Sequence, residues 1–226
     1  MQFHVIQFPR HFRVYRRKSA PEYKIVAEHG LRIGPDGLPD GAGLKLNDNA
    51  WDTVFETDGN KITANDIDDS SGKIRKNPVT FSLDEWEPII NANSQVMNIH
   101  IPRGDRITTD TWFDSIARAF TFFETVMKPS LPLKACVCFS WMFDSRLQSF
   151  LPENSGLMRL QEAVHLFPLP TTDTKAGLYF VFGDNDIDIN SAPADTSLRR
   201  GMIEHIRKGR VFTGGSMIYF RDELLS

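Results

Sequence analysis

Apolar and polar residues alternate in two different rhythms along this chain, and the change falls near residue 95. From residue 1 to about 94 the apolar positions come in short runs of period two, HVIQF, FRVYR, YKIVAE and KITAND. Turn clusters such as GPDGLPDGAG and DDSSGK separate them. Short alternating runs punctuated by Gly, Pro and Asp predict antiparallel β-structure. Beyond that point a strand is predicted over Val96–Ile101, then a helix over Asp110–Met127. In the helix Trp112, Phe113, Ile116, Phe120, Phe123 and Met127 recur at three- and four-residue spacing. Thr108 or Thr109 is placed to cap it and Pro129 to stop it.

A second strand follows over Leu133–Trp141, with short helical pieces over Asp144–Phe150 and Ser155–Ala163. Strand, helix, strand, helix predicts a right-handed parallel crossover. In the last third, VHLFPL and GLYFVFG read as strands, and Thr196–Lys208 as a helix with a buried stripe of Leu198, Met202, Ile203 and Ile206. Thr196 or Asp195 caps that helix, and Gly209 ends it. The final strand, VFTGGSMIYF, carries Gly214 and Gly215, which mark a bulge or a close approach of backbone. No repeat or long linker divides the chain. The expected fold is therefore one compact α/β (α+β) unit, with a β-rich N-terminal portion (1–94) and an α/β core (95–226).

Charge narrows the function. The chain has 29 acidic and 26 basic side chains, a net charge of -3, which argues against a protein that blankets nucleic-acid phosphates. No run approaches the roughly 20 apolar residues of a membrane span. The basic residues of MQFHVIQFPRHFRVYRRK follow an alternating run rather than precede an apolar one, so no signal peptide is read there. Cys136 and Cys138 are too close for an unstrained disulfide, and no second pair exists for zinc. A cytoplasmic, reducing location is expected, with neither membrane nor nucleic acid as partner. GDNDIDINSAPAD imitates a calcium loop, but Ile189 stands where such a loop needs Gly and Asp195 replaces its Glu. No metal is expected.

The candidate chemistry sits where strands end. Alternation groups Asn98 with His100 on one strand, and Lys134, Cys136, Cys138 and Ser140 on the next. Parallel neighbours bring their carboxyl ends together, and open α/β sheets bind ligands at that edge, so His100, Cys138 and Ser140 are expected to meet. No G-x-S-x-G surrounds Ser140, which speaks against a hydrolase nucleophile. Between the first strand and the long helix, PRGDRITTD places Arg103, Gly104 and Arg106 ahead of a helix start, a plausible phosphate cradle. A second basic cluster, Arg10 to Lys18, is split between strand faces and reads as solvated surface.

Several blocks carry a family resemblance. VMNIHIPRGDRIT, KACVCFSWMFDSRLQSFLPENS, GLYFVFGD and DTSLRRGMIEHIRKGRVFTGGSMIYF, with EHGLRIGPDGLPDG, WDTVFE and PVTFSLDEWEPII upstream, resemble the GNAT-like C-terminal domain of a bacterial family of acyltransferase-domain-containing proteins, GNAT-like N-acyltransferases. The resemblance spans nearly everything after about residue 10. It implies a mixed sheet whose two central parallel strands splay to admit the pantetheine of an acyl-CoA or acetyl-CoA. The pyrophosphate would lie on the loop from Arg103 to Thr108.

Acetyltransferases of that fold carry Q/R-x-x-G-x-G/A in this loop, where R-G-D-R-I-T has one Gly. They place a Tyr after the second splayed strand, whereas Asp144–Ala163 has none, which leaves Ser140 or Cys138 to protonate the thiolate. His100 is the implied base for a small-molecule amine, directly or through water, with Asn98, Trp141 and Trp51 as substrate contacts. Two helices that open such domains are missing from the first 94 residues, so an N-terminal partner domain or a homodimer is expected to complete the site. The implied function is acyl transfer from an acyl-CoA to an amine. The alternative is a non-catalytic ligand-binding or regulatory module, in which Trp141, Trp51 and Trp86 recognise a carbohydrate or small metabolite. A third reading, a structural subunit, needs no pocket.

Overall fold

The computed structural model describes residues 1–41, 45–102, 108–126 and 132–225. The N-terminal portion is antiparallel β, as its alternation predicts. Its strands are β1 (Gln2–Gln7), β2 (Phe12–Arg17), β3 (Tyr23–Ala27), β4 (Arg32–Ile33), β5 (Trp51–Asp52) and β6 (Phe55–Asp58). They continue with β7 (Lys61–Ala64), β8 (Ile67–Asp68), β9 (Lys73–Ile74), β10 (Val79–Ser82) and β11 (Trp86–Ile90). Two three-stranded sheets, β11-β2-β3 and β10-β7-β6, and the ribbons β4-β5 and β8-β9 use ten of these strands. The basic residues of β2 resolve into surface ion pairs, Arg13 with Glu28, Arg16 with Asp222 and Glu87, and Arg17 with Glu22.

The remaining strand, β1, crosses into the C-terminal portion. It forms the edge of a five-stranded mixed sheet of order β1-β12-β13-β15-β14, built with β12 (Gln95–His100), β13 (Ala135–Ser140), β14 (His165–Pro168) and β15 (Gly215–Phe220). Only β12 and β13 are parallel; every other neighbour in this sheet is antiparallel. The connection between them carries α1 (Thr109–Val126). Thr108 caps it: its Oγ1 accepts from the Thr111 amide at 3.2 Å, and Thr111 Oγ1 accepts from the Thr108 amide at 3.0 Å.

Both faces of this sheet are covered. Val96, Ala135, Val137, Ile218 and Phe220 pack against Phe8, Phe12, Val14 and Ile25 of the N-terminal portion. Met97, Ile99, Cys136, Cys138 and Met217 pack against Trp112, Ile116, Ala119 and Phe120 of α1. A strand buried on both sides loses the apolar–polar contrast of a surface strand, which is why KACVCF reads as a continuous apolar run.

Between β13 and β15 the elements are mostly helical. α2 (Gly156–Glu162) is capped by Ser155 and α4 (Ser197–Arg207) by Thr196, each side chain accepting an amide three residues on. The segment predicted as helical over Asp144–Phe150 consists of 3-10 turns over Trp141–Phe143 and Ser145–Ser149. One expectation fails outright: GLYFVFG is not a strand but the short helix α3 (Leu178–Phe182). Gly177 and Gly183 bound it, both left-handed, at φ 85° and 87°. Leu178, Val181 and Phe182 turn into a cluster with Leu147, Leu151, Met158 and Met202, while Tyr179 and Phe180 point out. The i, i+3, i+4 spacing of those three outweighs the aromatic, β-branched composition.

Candidate functional site

The parallel ladder between β12 and β13 pairs Met97 with Cys136 and Asn98 with Val137, and ends there. β13 keeps its other neighbour to the last residue, with Phe139 opposite Ser216 and Ser140 opposite Gly215. The two strands therefore fork at Asn98 and Val137. A cavity of about 530 Å³ opens at the fork. Ile99, His100, Ile101 and Pro102 line one side and Cys138, Phe139, Ser140, Trp141 and Met142 the other. Leu157, Leu169, Phe180, Asp173, Thr213 and Gly214 contribute to the rest of the wall.

His100, Ser140 and Cys138 thus reach one cavity, from opposite faces of the sheet. His100 shares the parity of Val96, on the N-terminal face, whereas Cys138 and Ser140 share that of Cys136, on the α1 face. His100 is exposed at the rim. Ser140 caps the following turn, its Oγ accepting from the Met142 amide at 3.3 Å, which leaves the hydroxyl proton free to donate. Cys138 is 1% exposed, and burial pushes its thiol up to about 12.

Beneath the fork lies a buried polar knot. Asp144 accepts from the amides of Arg146 at 3.0 Å and Gly214 at 3.1 Å and from the Arg146 guanidinium, which also donates to Thr213 Oγ1 at 2.9 Å. Burial raises the Asp144 carboxyl above the usual carboxylate range against the pull of Arg146 and these amides. The knot holds the Thr213–Gly214 backbone against the turn after β13. The adjoining Gly215 is obligatory: a Cβ there would stand 1.9 Å from the Phe143 carbonyl oxygen. That is the close approach the Gly-Gly pair predicts. Gly177, at φ +85°, admits the Trp141 ring in the same way, since a Cβ would lie 2.8 Å from it.

The other expected site residues are dispersed. Asn98 lies on β12 at the fork, with its amide 3.1 Å from His4 Nε2, and is not part of the cavity wall. Trp51 packs against the N-terminal core and borders a separate recess near Lys73 and Lys76. Trp86 is 3% exposed and roofed by Arg17 and Lys24, so no ligand ring reaches it. Thr108 is occupied in capping α1. Arg103, Gly104 and Arg106 lie outside the described residues. Sequence reasoning missed Asp173, the one carboxylate on the cavity wall among the described residues, whose Oδ1 accepts from the Lys175 amide at 2.8 Å. A lone Asp in a TTDTK turn carries no signal beyond turn formation. Phe180 was missed with α3.

Comparison with known proteins gives the arrangement its relatives. No curated protein matches the chain. Among solved structures, an acyltransferase in complex with CoA and 10C-teicoplanin superposes with a TM-score of 0.50 at 20% identity, covering 74% of this chain and 46% of that one. An acyltransferase in complex with decanoyl-CoA and teicoplanin, and an acyltransferase mutant in complex with octanoyl-CoA, give the same values. The chain spans less than half the length of these structures, and at this identity the likeness establishes the fold. The family model of the GNAT-like C-terminal domain matches residues 55–218, most of the chain and all of the fork, and the protein belongs to that family.

Proposed function

We propose that the protein transfers an acyl group from an acyl-CoA to the amine of a small molecule, with the fork between β12 and β13 as its site. The observation that carries this reading is the fork itself. A parallel ladder that stops after two pairs, with a cavity of about 530 Å³ wedged between the strand ends, offers a slot for an extended chain. Solved relatives of the same fold hold CoA, octanoyl-CoA and decanoyl-CoA, and the apolar Leu157, Leu169 and Phe180 suit an acyl chain. When bound, the acyl-CoA supplies the thioester that an amine attacks.

The chain's own groups divide the remaining work. The attacking amine must be neutral, and His100 at the rim takes its proton, directly or through one water. Asp173 faces the same cavity and attracts the amine while it is still an ammonium. Unladdered backbone amides past Asn98 and Val137 polarise the thioester carbonyl. Ser140, with its hydroxyl proton free, relays a proton to the departing thiolate. Cys138 serves as wall: at 1% exposure its thiol has no water from which to regain a proton, whereas Ser140 is only half-buried and can relay one from solvent. The loop from Arg103 to Thr108 would receive the pyrophosphate, and an N-terminal partner domain or second subunit would present the acceptor.

Calorimetric titration with CoA, acetyl-CoA and a longer acyl-CoA tests the reading. Micromolar binding that strengthens with the acyl chain is expected. Absence of heat with all three would overturn it in favour of a ligand-binding module centred on Trp141.

A further inference from the structure

A second cavity, of about 670 Å³, shares Thr213 with the first and is built from both portions of the chain. Residues between Pro35 and Pro39, with Leu46, Asn47 and Lys73, supply one side; the turn over Ser145–Ser149, with His205 and Gly209 to Val211, supplies the other. Its charge is uneven. The Arg146 guanidinium is matched by Asp144 at 3.3 Å and approached by Asp36 at 3.6 Å. Asp40, behind the wall, is taken up by Arg32 at 2.9 Å and Asn47 at 2.5 Å. Lys73 and Arg210 are exposed on the lining and meet no carboxylate among the described residues. Two positive charges therefore face the cavity.

Two of the lining residues, Ser145 and His205, each 7% exposed, carry polar atoms, Ser145 Oγ and His205 Nε2, that have no hydrogen-bond partner among the described residues. Buried polar atoms are as a rule paired, so orphans on a cavity wall are groups a polar occupant can satisfy. Burial, reinforced by Arg146 and Arg210, pushes His205 down to about 4 and keeps the ring neutral. A neutral imidazole keeps one ring nitrogen as an acceptor, which an occupant's hydroxyl can use. Leu38 and Leu46 give the cavity an apolar side, and Leu46 is 47% exposed.

We infer that this second cavity binds a small hydroxylated organic anion, with its negative groups on Lys73 and Arg210, its hydroxyl between Ser145 and His205, and its hydrocarbon against Leu38 and Leu46. The inference does not depend on acyl transfer, since it draws only Thr213 from the fork.

Citrate and inorganic phosphate are the probes, applied to the full chain by calorimetry and thermal melting, with the His205 ring nitrogens followed by NMR. Citrate is expected to raise the melting temperature, to shift the His205 Nε2 signal, and to bind several-fold tighter than tricarballylate, which lacks only the hydroxyl. The double variant Lys73→Ala/Arg210→Ala should melt like the wild type without ligand and bind citrate at least tenfold more weakly. Saturating CoA should leave citrate affinity unchanged. Silence with both probes at millimolar concentration, full affinity in the double variant, or displacement of citrate by CoA would each overturn the inference, the last by assigning the cavity to the acyl donor. None of these readouts depends on turnover, so failure here and failure of the acyl-transfer reading remain distinguishable.

Discussion

The two ends of the five-stranded sheet handle their histidines in opposite ways. At the end where Ser140 faces Gly215, the strands fork, and His100 stands at the rim of an open cavity. Toward the other end His165, on β14 opposite Ile218, is clamped between two carboxylates, Asp69 Oδ2 at 2.5 Å and Glu223 Oε1 at 2.7 Å. The rings of Tyr23 and Phe220 pack on it at 5.8 and 5.3 Å. Burial alone would lower the His165 pKa, and the two carboxylates outweigh it and push the ring up to about 9. One end joins the N-terminal portion, the sheet and the C-terminal turn through mutually satisfied charges. The other leaves donors and acceptors unspent beside a cavity, which is the expected division between a structural cluster and a site.

The contrast can be broken most severely at the fork. His100→Ala is expected to lower acyl-transfer turnover by about 10²–10⁴-fold, the range for loss of a general base, while leaving the denaturation midpoint unchanged. Release of free thiol from acyl-CoA measures the first and urea unfolding the second; wild-type turnover would remove His100 from the mechanism.

Gly215→Ala comes next. It drives a Cβ into the Phe143 carbonyl and should destabilise the protein by about 3 kcal/mol, since the clash is with backbone rather than with a side chain that can turn away. Urea denaturation of the variant checks this, and a loss under about 1 kcal/mol would mean that the turn after β13 yields easily.

The clamp is sharpened by pH. Its folded-state pKa of about 9 stands above the ordinary histidine value of about 6.5, so its stabilisation is complete below about 6.5 and is lost as pH rises through about 9. The shift sets a ceiling of about 3 kcal/mol. In His165→Gln, the difference in unfolding free energy between pH 6 and pH 10 should shrink by that contribution; an identical pH profile would show that the clamp carries no net stability.

The smallest effect expected is at Thr108. Its replacement by Ala removes one half of a reciprocal cap and should cost about 1 kcal/mol. If CoA affinity also falls, the α1 start takes part in binding; if only the melting temperature moves, it is structural.

Much of the architecture was legible in the sequence because its cause is local. Alternation in FRVYR and YKIVAE, the Trp112–Ile116–Phe120 stripe and the caps at Thr108 and Thr196 each rest on residues a few positions apart. GLYFVFG has the composition of a strand and the spacing of a helix: the 178, 181, 182 periodicity is present, but a five-residue helix offers only one turn of it. The Gly214–Gly215 pair correctly signalled a close approach without naming its partner, Phe143, some seventy residues away.

The candidate site divides along the same line. Alternation by itself determined which residues of β12 and β13 share a face. Only the tertiary structure decided that the ladder stops after Asn98 and Val137, that Asp173 joins the fork cavity, that Trp86 is sealed while Trp141 is not, and that Lys73 and Arg210 face one cavity. The physical reason is range. Periodicity and capping are fixed by hydrogen bonds and side chains within one or two turns of the backbone. Strand divergence, cavity walls and charge balance depend on groups that come together only when distant segments pack, and no short window of sequence contains both partners.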